Sequence, residues 1–365
     1  MQPPSRRTFL ALGLLLTAGG ALTACTDAHH TDPGAPAADR RPDPDEPVRL
    51  RAVAATDTLL AGYDALLAGP GQGRLQPLRA EVAQHRAALA AGLPGGAETP
   101  TPTPGAPTSG TPTPGASTSG TATSGTGSGT AGPTATAPAG TVGTPAALAA
   151  LASLERQTAQ SRLADLGAAS PQLARLLASV SAAGVLHAVA LGDTAPATAP
   201  DPAASPSPPG AEGVPAFQSA LSAEHAAVYG YGVVGARLPD DQQRAEARSS
   251  LAAHQARRDA WQRLLGSAGA TPTAAAAGYQ LPFPVTDAAA ATRLAAHLET
   301  RLTGVYADLV AAVPSAQRGL AADALRECAL RAQRWGAAAT PFPGLPDPAA
   351  TPAPSTATGS AAATP

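Results

Sequence analysis

Residues 217–232 read Phe-Gln-Ser-Ala-Leu-Ser-Ala-Glu-His-Ala-Ala-Val-Tyr-Gly-Tyr-Gly. Phe217, Leu221, Glu224, Val228 and Tyr231 follow one another at intervals of four and three, which lines them along one face of an α-helix. A carboxylate, Glu224, is thereby expected to face a core. The same spacing carries on through Ala247, Leu251, His254, Arg258, Trp261 and Leu265, and through Ala295, Glu299, Leu302, Tyr306, Leu309 and Val313. It is less clear in Leu320, Ala324, Cys328 and Trp335, where Glu327 sits at the edge of the row.

Upstream the pattern repeats. One row runs Val53, Thr56, Leu60, Tyr63, Leu67; a second runs Leu75, Leu78, Val82, His85, Leu89; a third runs Leu173, Leu177, Val180, Gly184, His187, Leu191. Glu155 stands beside Leu151 and Leu154. Alanine and leucine dominate, and no alternating apolar run suggests a strand. The spacing predicts an all-α chain with helices over 48–68, 74–92, 145–166, 171–191, 215–237, 240–265, 287–312 and 316–338. Pro145 and Pro171 stand at helix starts, where the missing N–H costs nothing, and Asp240 and Asp287 are placed as N-caps.

The helices fall into two groups of four, 48–192 and 214–338. Each group has a long connection between its second and third helices, 94–144 in the first and 266–286 in the second. That is the connectivity of a ferritin-like four-helix bundle. Residues 94–144 carry a ten-residue repeat, TPTPGAPTSG at 101–110 and TPTPGASTSG at 111–120. That insert, the linker 193–213 and the tail 339–365 are Pro-, Ala-, Thr- or Gly-rich and are expected to be disordered, because they hold too little apolar surface to offset the entropy of ordering. Extracellular Thr/Ser/Pro tracts also resemble O-glycosylated stalks. The halves overlay in short matches: Leu154-Glu155 with Leu298-Glu299, Tyr63 with Tyr231, His85 with His254.

Residues 5–10, Ser-Arg-Arg-Thr-Phe-Leu, resemble a twin-arginine export signal through Arg6, Arg7, Phe9 and Leu10. An apolar stretch follows, too short and glycine-rich for a comfortable membrane span. Leu22-Thr23-Ala24-Cys25 resembles a lipobox, in which the cysteine is lipidated after cleavage. The resemblance implies a signal peptide over 1–24, a lipidated tether over 25–47, and a chain held at the extracytoplasmic face of the cell membrane through Cys25.

Residues 217–337, and Ala223 to Gly232 above all, resemble an actinobacterial ferritin-like domain of unknown function found in exported proteins. The absence of Lys, Asn and Ile, whose codons are AT-rich, points the same way, to a GC-rich genome. The resemblance implies a four-helix bundle and no particular activity, with 48–192 a degenerate second copy. A ferritin-like dinuclear site takes one Glu from each of two helices and Glu-x-x-His from each of the other two. Here that set maps onto Glu224, His254, Glu299 and Glu327 and would hold two iron or manganese ions. Leu251 stands where a carboxylate should precede His254, and Leu330 where a histidine should follow Glu327. In the first half, Gly184 and Val82 replace the carboxylates before His187 and His85.

Two readings therefore stand. The inward polar residues either pair with one another or with an arginine such as Arg258 and fix helix register, or they hold metal in an oxidase or metal-binding module. Tyr229 and Tyr231 are expected in the core, His225 and His297 at bundle edges or in solvent. Cys328 is expected as a small buried hydrophobe. Net charge is −2 with the arginines scattered, which excludes a nucleic-acid-binding face. No phosphate loop, nucleophile elbow or Cys-x-x-Cys is present. The function expected is a noncatalytic binding or envelope-structural role, with a protein or small ligand as partner.

Overall fold

Four helices begin on a side chain that accepts a hydrogen bond from the backbone N–H three residues on: Thr144, Ser170, Asp240 and Asp287. Each satisfies one of the N–H groups that a helix start leaves without a partner. In the computed structural model of the chain, residues 43–70, 73–93, 144–194 and 207–346 are described. The export signal, Cys25 and most of the tether, insert residues 94–143, linker residues 195–206 and the tail from 347 lie outside the described residues.

The helices are α1 (Glu46–Leu67), α2 (Gln76–Ala90), α3 (Pro145–Ala164), α4 (Pro171–Ala190), α5 (Val214–Arg237), α6 (Asp241–Ser267), α7 (Ala288–Ala312) and α8 (Arg318–Arg334). Short 3-10 turns precede α2 and α8 and follow α3. No strand occurs among the described residues, and the fold is all-α. In the first bundle α1 packs on α2 and α3, and α3 on α4; in the second α5 packs on α6 and α7, and α7 on α8. Short links make α1 and α2, α3 and α4, α5 and α6, and α7 and α8 antiparallel neighbours.

The predicted stripes hold with local shifts. In α1 the buried row is Val48, Ala52, Thr56, Leu59, Tyr63 and Leu66, so Val53, Leu60 and Leu67 lie one residue off it. In α6 Leu251 and Arg258 are only half-buried. Tyr229 is a correction: it is 41 % exposed and packs on Tyr279 of the crossover, while Tyr231 is fully buried. His225, expected at a bundle edge or in solvent, is buried under the crossover, with Nε2 at 3.1 Å from the Thr273 carbonyl.

The bundles are packed together, which the stripes alone did not foretell. All described residues belong to one compact unit starting at Asp43. α4 lies against α7 and α8 as well as α3. It is apolar almost all round, the mark of a helix buried on several sides. By length and composition α4 could cross a membrane, but two thirds of its apolar window is buried against other helices. One core cluster runs through both bundles, joining Leu173 and Leu177 to Phe217, Trp261, Tyr306 and Leu325. Arg318 adds a polar clamp, donating to the Leu166 and Ala169 carbonyls at 2.8 and 2.6 Å.

Residues 339–346, expected within a disordered tail, instead form a strap after α8. Phe342 is buried against His85. The Pro341 carbonyl lies 2.6 Å from His85 Nε2, and the Pro343 carbonyl accepts from Ser179 Oγ at 2.8 Å. Gly344 has φ +82, and a Cβ there would stand 2.4 Å from the Thr303 carbonyl, so only glycine fits. One aromatic anchor and three backbone fixings order a segment whose composition argued otherwise. The expected linker is also corrected at its end: Pro209 is buried, and the Ser207 carbonyl accepts from Gln317 Nε2 at 2.8 Å.

Candidate functional site

The polar row of the second bundle closes on itself. His254, on α6, sits between two carboxylates: Nδ1 is 2.8 Å from Glu224 Oε2 on α5, and Nε2 is 3.0 Å from Glu299 Oε1 on α7. All three side chains are fully buried. Glu299 Oε1 also accepts from Tyr231 OH at 2.5 Å and from Arg331 Nε on α8 at 2.8 Å. Glu224 Oε1 accepts from Tyr306 OH, which in turn accepts from Trp261 Nε1 at 3.2 Å. The Tyr231 ring stacks on the imidazole at 5.2 Å.

Glu327 joins only through arginine. It pairs with Arg257 and lies 3.6 Å from Arg331 NH1, with a third of its side chain exposed. Arg258, the arginine singled out from the sequence, pairs instead with its neighbour Asp259. Arg257 takes the inward place and lies over the Tyr306 ring at 5.5 Å. Glu224, Glu299 and Glu327 thus face His254, Arg257 and Arg331, and the charges balance.

Protonation follows from this arrangement. Burial opposes a charged His254, but the hydrogen bonds with Glu224 and Glu299, and then their charges, prevail and raise its pKa. Burial would raise Glu299; His254 and Arg331 overcome it and hold the carboxyl below its usual range. Burial, then the Glu224 charge, pushes the Tyr306 hydroxyl far up, so it stays a donor. The Cys328 thiol is fully buried and also pushed up, so it stays protonated.

The first bundle builds a related cluster with different side chains. Tyr63 OH donates to Glu155 Oε1 at 2.8 Å, as Tyr231 does to Glu299. The histidine on Glu155 is His187 of α4, with Nδ1 at 3.1 Å; its Nε2 is 3.0 Å from Glu81 Oε2 on α2. His187 stands 32 residues after Glu155, and Arg331 stands 32 after Glu299. The fourth-helix cation is therefore histidine in one bundle and arginine in the other. The expected overlay of His85 with His254 fails in role, because His85 turns to the strap and not to a carboxylate. Thr56 and Tyr63, seven apart, answer Glu224 and Tyr231, and Arg162 stands where Tyr306 does, bonded to Thr56 Oγ1 at 2.9 Å. Burial opposes the charged His187, but bonds with Glu155 and Glu81 outweigh it and push it up to about 9. Burial, and then the charge of His187, drives His85 down to about 3.

The residues do not fit a dinuclear metal centre. The Arg331 guanidinium already donates to Glu299 Oε1 at 2.8 Å, a fixed positive charge on the carboxylate that would have to bridge the cations. Both His254 nitrogens are engaged by carboxylates, and Glu327 is tied to two arginines. Glu299 Oε2 is buried without a hydrogen-bond partner, but one carboxylate oxygen beside a fixed guanidinium is a poor seat for a cation. Among the described residues no group of three or more His, Cys, Asp or Glu side chains is arranged to hold a metal ion.

Fold and site together define an all-α protein of paired four-helix bundles whose polar cores are closed by ion pairs. Residues 216–347, from α5 through the strap, match the model of a domain of unknown function, DUF4439. A crystal structure of a conserved hypothetical protein, rv2844, from Mycobacterium tuberculosis is 38 % identical, with 34 % of this chain and 96 % of that chain covered and a TM-score of 0.33. No curated protein matches.

Proposed function

We propose that the chain is an exported lipoprotein, held at the outer face of the membrane through Cys25, whose paired bundles bind a partner noncatalytically. The observation that carries the noncatalytic part is the state of Glu224, His254 and Glu299. These are the groups best suited to acid–base or metal chemistry, yet all three are fully buried and already bonded to one another, to tyrosine or to arginine. A catalytic group needs a substrate atom within hydrogen-bond reach, and here protein atoms take those positions except at Glu299 Oε2, which is sealed from solvent. The anchor rests on the order Arg6-Arg7, Phe9-Leu10, apolar core, Cys25. Buried acyl carbons contribute about 0.8 kcal/mol each, so two or more chains hold firmly.

Expression in a GC-rich bacterial host with labelled palmitate tests the anchor. The native chain is expected to take up label and sediment with membranes, while Cys25→Ala loses the label and appears in the soluble fraction. Equal labelling of the two would exclude Cys25 as the attachment point.

A further inference from the structure

The seam between α2 and α4 is the loosest in the first bundle, because the second and fourth helices barely touch. A cavity of about 190 Å³ opens there. Leu78 and Leu186 form its apolar sides, Ala329 and Ala332 of α8 its far wall, and residues 337–340 its roof, so it exists only because the bundles are packed together. Glu81 and His187 lie at its polar end.

We infer that this cavity is a binding site for a small apolar molecule, of the size of one six-membered ring, that carries one hydrogen-bond donor. Size comes first: a buried apolar cavity of about 150 Å³ takes up benzene, and this one is somewhat larger. Polarity comes next. Glu81 Oε2 is engaged by His187, while its other oxygen accepts no hydrogen bond from a described residue. Thr300 and Thr303 also line the space, but their hydroxyls donate to the Ala296 and Thr300 carbonyls. Glu81 is thus the strongest free acceptor on the wall. A phenol or alcohol places its O–H there and its ring among the leucines and alanines. A carboxylate of the same size would bring a further negative charge beside Glu81, whose counter-ion His187 is already shared with Glu155, and would bind more weakly than the neutral phenol.

The site deepens the noncatalytic binding reading and rests on it. Its test uses the full chain carrying Cys25→Ala, so that no lipid or detergent competes for the probe; palmitate labelling then judges the anchor separately. The probes are 4-fluorophenol and 4-fluorotoluene, followed by ¹⁹F line broadening. The phenol is expected to bind at least tenfold more tightly than the toluene. Ala190→Phe, on the exposed rim of α4, should weaken both at least tenfold while far-UV circular dichroism is unchanged. Glu81→Leu should abolish the preference and leave 4-fluorotoluene bound. Failure of both probes to bind, unchanged binding in Ala190→Phe, or an intact preference in Glu81→Leu would each overturn the assignment.

Discussion

Glu299→Ala is expected to lower the stability of the folded chain by about 3–5 kcal/mol. The change leaves only Glu224 and Glu327 to offset three cations, His254, Arg257 and Arg331, and it leaves the Tyr231 hydroxyl without its acceptor. Removing one partner of a buried pair exposes the desolvation cost of the other, whereas removing both costs far less. The double variant Glu299→Met with Arg331→Met is therefore expected to recover much of the loss, and the coupling appears in a double-mutant cycle. Urea midpoints followed by circular dichroism give the numbers. Additive losses would mean that the two side chains are not paired in solution.

Stability is expected to pass through a maximum near pH 6.5 and fall on both sides. His187 holds its proton to about pH 9 when folded, against about 6.5 when unfolded. Its contribution, about 3 kcal/mol, is complete below about pH 6.5 and is lost as pH rises through about 9. His254, also raised, acts in the same direction. His85 behaves oppositely. Folded, it refuses a proton until about pH 3, while the unfolded chain takes one near 6.5. Each unit of acidification between these values costs about 1.4 kcal/mol. Glu299 adds to the acid limb only below its unfolded pKa, near 4.5. The slope between pH 6.5 and 4.5 therefore belongs mainly to His85. His85→Leu should flatten it, and His187→Gln should flatten the alkaline limb. Unchanged limbs in those variants would show that neither imidazole has the environment described.

The helices were legible because heptad spacing reports which face of each is buried, and caps such as Asp240 and Asp287 mark the starts. Glu224, His254 and Glu299 could be placed together for the same reason: each interrupts an apolar row. Spacing does not say what lies across a face. The packing of α4 on α7 and α8 escaped for that reason, although its all-round apolarity was the available signal. Arg331 and Arg257 escaped because arginine is usually on the surface. The position of Arg331 three residues after Cys328, as His187 stands three after Gly184, could have revealed its role. The strap escaped because Pro and Ala content argued for disorder, while Phe342 and Gly344, two of the residues that fix it, are too few to shift a composition.

The closed ion-pair core depends on the charge state of His254. Its two nitrogens face carboxylate oxygens at 2.8 and 3.0 Å, and a neutral ring would turn one lone pair toward a carboxylate. ¹⁵N-resolved imidazole spectra of the native chain at pH 7 test this directly. The prediction is a His254 ring protonated on both nitrogens, with no change on adding iron(II) or manganese(II). A ring with one bare nitrogen, or a resonance shifted or broadened by stoichiometric metal, would contradict the closed ion-pair core and the noncatalytic role drawn from it.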